Sequence, residues 1–283
     1  MPMSDLLRKL PPIRRIRGNR LYAEDGRRLL DLWLDDGRGI LGDAEKAAKT
    51  YASNAIDKGL LRPYPGLYER RFIKAVQARW PGYPCVRLYT SEESALRAAH
   101  RILGARPLII DTAAREAAIP EGQPGAQPQA ALTLLRPFLD TPAGARASPR
   151  LALPRLPCPR PYAPACLLSA DAALSDPGEL VPGMQLYAAT RALDSLANTG
   201  REGYTEERWR LFDKRMGLYF ERRGPYLYAR VTEDEYEGFF MAALQGGALI
   251  SPIYAQPSIV APDIDDGELK KLAAALAAFR AAR

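Results

Sequence analysis

No lysine occurs between Lys74 and Lys214, so a long central stretch of the chain has no side-chain amine to serve as a nucleophile. Arginine is plentiful there, and a guanidinium stays protonated at physiological pH and is a poor imine former. Three other features of the stretch have types and spacing that suit chemistry. Thr90, Ser91 and Ser94 sit where an apolar run, CVRLYT, gives way to a helical pattern, SEESALRAAHRIL. A strand ending at a helix N-terminus leaves backbone N–H groups unpaired beside the positive end of the helix dipole, and such a place binds anions. The plainer reading is that Thr90 or Ser91 is an N-cap and that Glu92 and Glu93 complement the dipole, with Glu92 repelling any phosphate. Asp171 closes a second apolar run, CLLSAD, where it would at least cap a turn. Arg191, in PGMQLYAATRAL, could pair with a phosphate or carboxylate, or be a surface arginine at a helix start.

Other chemistries find little support. His100 is the only histidine, and it lies on a helical pattern with Leu96, Ile102 and Leu103. One histidine without a spaced cysteine pair makes no zinc site. No G-x-S-x-G, Walker or G-x-G-x-x-G pattern is present. The three cysteines, Cys85, Cys158 and Cys166, form no C-x-x-C pair, and their odd number implies no disulfide framework. A reduced, cytoplasmic setting is therefore expected. No run is apolar and long enough to span a membrane, and the basic LPPIRRIRG segment reads as a surface arm. The net charge of +7 comes from 40 basic and 33 acidic residues spread along the chain. With no nucleic-acid motif to concentrate that charge, nucleic-acid binding is not expected.

Local patterns place these residues on elements. RLYAEDGRRLLDLW (20–33) reads as a hairpin around Asp25-Gly26, and the glycine-rich DDGRGILGD follows it. Helices are expected over 44–58, with Asp43 as N-cap, and over LYERRFIKAVQARW, which stops at Pro81-Gly82. CVRLYT, the helix closed by Gly104, and PLIID (107–111) make a strand–helix–strand unit, so a parallel sheet is the natural inference. AALTLL (130–135), CLLSAD (166–171) and MQLYAAT (184–190) are further strand candidates. Residues 112–165 are proline-dense, so central strands there must be short. From 205 the pattern is a helix to about 222 capped by Thr205, a strand PYLYARV, a helix ending at Gly246-Gly247, short strands ALISP and SIVAP, and an amphipathic terminal helix. That describes a compact α+β subdomain.

In this order the segments resemble the class III aminotransferases, the fold-type I group dependent on pyridoxal phosphate (PLP) that includes glutamate-1-semialdehyde aminomutase. NRLYAEDGRRLLDLW with GILGD resembles that family's opening hairpin and glycine loop. RLYTSEESALRAAHRIL resembles its F-x-S-G-S-E-A element, and LLSADAALSDPG its L-I-x-D-E-V-Q-x-G. The chain from FFMAALQGG to the final helix resembles its carboxy-terminal subdomain. The likeness covers roughly 15–105 and 205–283. It implies an α/β, PLP fold-type I aminotransferase-like architecture. A reduced large domain with a mainly parallel sheet would occupy 44–204, and a small α+β domain would be built from 1–43 and 205–283. It also implies a homodimer.

Carried over residue by residue, the resemblance puts the phosphate at Thr90, Ser91 and Ser94, with Ser91 and Glu92 in place of the family's Gly-Ser. It puts the pyridine-nitrogen partner at Asp171, and Arg191-Ala192-Leu193 in place of the family's Lys-Ala-Leu. Lys214 is the nearest alternative amine, but it falls inside the expected helix 205–222. The leading expectation is thus a relative that has lost PLP-dependent transamination, with PLP absent or not covalently held, and that acts as a binding or scaffolding protein for a small molecule or a protein. One alternative is an active aminotransferase or aminomutase using a lysine from elsewhere in the fold or from a partner chain. Another is a basic protein that binds an anionic partner.

Overall fold

A computed structural model describes residues 3–42, 46–113, 131–139, 150–172, 174–202 and 204–282. The first elements are α1 (Met3–Leu7), β1 (Ile13–Arg17), β2 (Arg20–Ala23), β3 (Arg28–Asp31), α2 (Lys46–Asp57) and α3 (Leu67–Arg79). Then come β4 (Cys85–Tyr89), α4 (Glu92–Leu103), β5 (Leu108–Asp111), β6 (Ala131–Leu135), β7 (Leu151–Pro154), β8 (Ala165–Ser169) and α5 (Gly183–Glu202). The last are α6 (Glu206–Met216), β9 (Phe220–Arg223), β10 (Tyr226–Ala229), α7 (Tyr236–Gln245), β11 (Ala248–Leu249), β12 (Ser258–Ile259) and α8 (Asp266–Ala281). The chain divides into two compact units, Ala44–Asn198 and the combination of Met1–Asp43 with Thr199–Arg283.

The unit 44–198 is built on a five-stranded sheet of order β4-β8-β7-β6-β5. β5, β6 and β7 are mutually parallel, whereas β8 is antiparallel to both β7 and β4. So β4, β5, β6 and β7 all run one way and end on one edge. The strand–helix–strand unit from β4 through α4 to β5 does not pair its two strands. They lie at opposite margins of the sheet with three strands between them. α4 lies against the sheet through Ala95, Ala98 and Ala99, whose small side chains let its backbone approach Tyr89, Leu132, Leu134, Leu151, Leu153 and Leu167 closely. Ser91 caps this helix, accepting from the Ser94 amide, and Gly104 ends it at φ 69°, a conformation only glycine adopts cheaply.

One expectation for this unit fails. MQLYAAT is not a strand but the first turns of α5. Its buried residues, Leu186, Ala189, Leu193 and Leu196, recur at helical spacing once the window is extended past residue 190. The proline-dense segment carries β7, a central strand of only four residues, short as expected there. Pro154 is tolerated because it is the last of them, and the next amide, Arg155 N–H, bonds Leu135 O at 2.7 Å.

In the other unit, β1, β2, β3 and β11 form one sheet and β12, β10 and β9 another. β11 pairs in parallel with β3, so segments from both ends of the chain share a sheet. Arg20 on β2 fastens them further, donating to Glu268 at 2.9 and 2.7 Å and to Asp263. Asp265 and Glu268 form a complete capping box at the start of α8. LPPIRRIRG lies at the surface, where Ile13–Arg17 is a mostly exposed edge strand paired with β2. The helix expected to reach 222 stops at Met216, because FERR turns at Gly224 (φ 56°) and pairs back on the buried β10. After β3 comes a left-handed turn, with Leu34, Asp35 and Asp36 at φ 53°, 48° and 59° before Gly37 at 85°. Such a run costs about 1–2 kcal/mol per non-glycine residue. The Asp31 carboxylate holds it by accepting from the Trp33 and Leu34 amides at 2.9 and 2.8 Å. Burial pushes that carboxyl up to about 6 against those two bonds, with the Asp35 charge adding to the rise.

Candidate functional site

In open α/β sheets, ligands bind outside the carboxyl ends of the strands, where connections diverge. Four strands of the sheet in 44–198 end at such an edge, and the next residues are Thr90, Thr112, Arg136 and Arg155. Each is fixed by its neighbours. The Arg136 amide donates to Thr112 Oγ1 at 3.1 Å, and its guanidinium holds both oxygens of Asp111, the last residue of β5, at 2.6–2.9 Å. Arg155, one strand over, donates to Glu92 Oε2 at 2.7 Å, and Glu92 is the first residue of α4. Both guanidiniums are nearly out of water, with side chains 1% and 8% exposed. Burial of a guanidinium is tolerated only with a hydrogen-bonded counter-ion, and the two carboxylates supply it.

The start of α4 is likewise committed internally. Thr90 donates through its amide and its hydroxyl to one oxygen of Glu179, at 2.9 and 2.7 Å. Ser91 Oγ takes the Ser94 amide at 3.1 Å, and Ser94 Oγ takes Arg97 at 3.0 Å. Burial raises the pKa of Glu179, but the two Thr90 bonds, a Ser94 bond and the Arg97 charge together leave it below the usual range. Asp176, three residues earlier, accepts from Tyr89 Oη at 2.9 Å, from the Gly178 amide at 2.9 Å and from Arg101 at 2.6 Å. There too burial pushes upward, and the Arg101, Gly178 and Tyr89 bonds overcome it and hold the carboxyl low.

Of the residues singled out in the sequence, Thr90, Ser91 and Ser94 meet at this edge. Asp171 does not. It follows β8, the strand that runs the other way, and so emerges at the opposite edge, where it is exposed and pairs with Arg150 at 3.0 Å. Arg191 follows no strand. It lies within α5, over the Tyr51 ring of α2 at 4.5 Å and beside Asp194 at 3.0 Å. Asp111, Arg136, Arg155, Asp176 and Glu179 went unnoticed in the sequence. The signal for the two arginines was present: each directly follows an apolar strand, ALTLL and LALP. Among the described residues no group of histidine, cysteine and carboxylate side chains could hold a metal, and no helix is long and apolar enough to cross a membrane.

No family model matches the chain. An uncharacterized protein of Treponema pallidum (strain Nichols) is 27% identical over 285 residues, covering 91% of each chain. Among solved structures, an omega-transaminase from Sphaerobacter thermophilus superposes with a TM-score of 0.67 at 12% identity, covering 98% of this chain and 97% of that one. A glutamate-1-semialdehyde aminomutase from Pseudomonas aeruginosa PAO1 gives 0.64 at 13% identity, covering 95% and 87%. A transaminase with PLP bound gives 0.65 at 12% identity, covering 99% and 97%. The fold is that of the fold-type I aminotransferases.

Proposed function

We propose that this chain is a binding protein on the aminotransferase fold that holds no cofactor through an imine. The observation that carries the reading is the identity of the strand-end residues. Wherever a strand of the sheet in 44–198 ends at the ligand edge, the next residue is threonine or arginine, and no lysine occurs in the sequence from 75 to 213. PLP bound as a Schiff base needs a neutralisable amine at such a position. The residues present do not fit that group. A phosphate at the start of α4 would also face the carboxylates of Glu92 and Glu179. Asp111, the acid that ends a strand at this edge, already has both oxygens on Arg136. A homodimer in a reducing compartment is part of the reading, and the three buried cysteine thiols suit that compartment.

The test is spectroscopic. Purified protein incubated with PLP is expected to show no internal-aldimine absorbance near the visible edge. Borohydride treatment followed by peptide mass spectrometry is expected to leave no lysine carrying a reduced pyridoxyl group. A fixed adduct on any lysine, from this chain or from a second copy, overturns the reading and names the amine.

A further inference from the structure

The 40 basic and 33 acidic residues are spread along the chain, but the excess of positive charge is not. Residues 46–80, which hold α2, the loop after it and α3, carry eight lysines and arginines against two acids, Asp57 and Glu69, and so contribute most of the net charge of +7. All eight cations are exposed. Elsewhere arginines find carboxylates, as Arg20, Arg136, Arg155 and Arg222 do. Here Lys49, Lys58, Arg62, Arg70 and Lys74 form no ion pair among the described residues. Interleaved with them, Ile56, Leu61, Tyr64 and Leu67 are exposed within twelve residues. A single exposed apolar residue is ordinary on a protein surface, but several together beside unpaired cations mark a place of interaction. Tyr187 of α5 holds the stretch together. Tyr51 of α2 meets its ring edge-on at 4.7 Å, Tyr68 of α3 lies at 4.5 Å, and Lys58 and Arg71 sit over the Tyr187 and Tyr68 rings at 5.9 Å. The loop is tied in where the Met184 amide donates to the Leu60 carbonyl at 3.0 Å. Pro63 and Pro65 flank Tyr64 and restrict the backbone that displays it, so a partner would order little that is not already ordered.

A partner for this face must bring negative charge for the cations and an apolar medium for the side chains between them. The boundary of an anionic bilayer offers both, because apolar side chains enter it to a shallow depth while lysine and arginine stay among the acidic headgroups. A single strand of nucleic acid would need open aromatic planes, but Tyr51, Tyr68 and Tyr187 pack on one another, and Ile56, Leu61 and Leu67 are aliphatic. A second copy docked through the same face about a two-fold axis would set cations against cations. We propose that α2, the loop 59–66 and α3 form a surface that binds an anionic lipid bilayer. Leu61, Tyr64 and Leu67 enter the headgroup region, and Arg62, Arg70 and Lys74 meet the lipid phosphates. Such binding needs no cofactor and is independent of whether an imine forms.

Co-sedimentation of the full chain with vesicles tests it, comparing phosphatidylcholine alone with phosphatidylcholine mixed with phosphatidylglycerol. At low salt the chain is expected to sediment with the acidic vesicles and not with the neutral ones, and added salt is expected to release it. Arg70→Glu combined with Lys74→Glu is expected to weaken binding roughly thirtyfold, since each cation near the surface is worth about fivefold. Leu61→Ser combined with Tyr64→Ser, which leaves the charge unchanged, is expected to weaken it about tenfold. All four positions are exposed, so both variants are expected to keep the melting temperature of the parent chain. Equal sedimentation with both kinds of vesicle, sedimentation with neither, or full binding by the charge-reversed variant overturns the proposal. A dimer that Leu61→Ser with Tyr64→Ser splits in analytical ultracentrifugation gives the face to a second copy and overturns it as well. So does a single-stranded oligonucleotide that binds more tightly than the acidic vesicles and is released by the same charge reversal.

Discussion

At one edge of the sheet in 44–198, Arg136 and Arg155 are held nearly dry against Asp111 and Glu92. At the other edge, Arg150 and Asp171 face each other in solvent, 78% and 53% exposed. The chemical pairs are the same and their energetics are opposite. In water the Coulomb gain is screened and offset by side-chain entropy, so the exposed pair contributes little. Nearly out of water, each guanidinium needs its carboxylate, and the pair becomes a structural commitment. The lesson is that a strand-end acid means one thing at the edge where four parallel strands finish and another where β8, running against them, finishes. Asp171 fits the sequence pattern and lies on the wrong edge for it. Asp111 closes the apolar run PLIID and Arg136 follows ALTLL, and both lie at the edge where those strands finish.

The largest effect expected from this contrast is at Arg136. Arg136→Ala leaves Asp111 half-buried without its counter-ion and is expected to cost about 3–5 kcal/mol in urea unfolding. A loss under about 1 kcal/mol would mean that the two edges do not differ as described. Next is Asp176→Asn, expected to cost about 1–2 kcal/mol at neutral pH by weakening the bonds from Arg101 and Tyr89. The sign of its pH dependence follows from the lowered carboxyl of Asp176. A folded-state pKa below the unfolded one contributes stability that is complete above about 4 and is lost as pH falls through the folded value. The gap in melting temperature between the parent chain and Asp176→Asn should therefore be widest at neutral pH and close in acid, and a gap that stays constant into acid would contradict the assignment. The smallest effect is at the exposed edge. Asp171→Ala should change stability by no more than about 0.5 kcal/mol, and a larger change measured by the same unfolding assay would give Asp171 a role that its solvent-facing position does not.

Much of the scaffold was legible locally. The helix begun by Ser91 and closed by Gly104, the Asp25-Gly26 hairpin and the terminal helix after Asp265 all announce themselves through residues within four positions of one another. The misreading of MQLYAAT has a local cause. MQLYAAT alternates well enough over seven residues to pass for a strand, and only the apolar residues further along α5 restore the helical period. β7 is as short as a proline-dense segment requires of a central strand, with proline on its last residue. Read from the sequence alone, Arg155 follows no strand of obvious length, whereas Arg191 stands in an Arg-Ala-Leu run that the resemblance aligns with Lys-Ala-Leu.

The sequence alone determined that no lysine lies between Lys74 and Lys214, and it placed Thr90, Ser91 and Ser94 at the start of a helix. Both are facts of composition and short-range bonding that need no knowledge of the rest of the molecule. Only the tertiary structure decided which strand ends share an edge, that Asp171 is on the other one, and that Glu179 reaches across 89 residues to Thr90. The physical reason is range. Caps and periodicity act within a turn or two of chain, whereas strand order, strand direction and the burial that makes an ion pair matter are set by contacts between segments that the sequence leaves far apart.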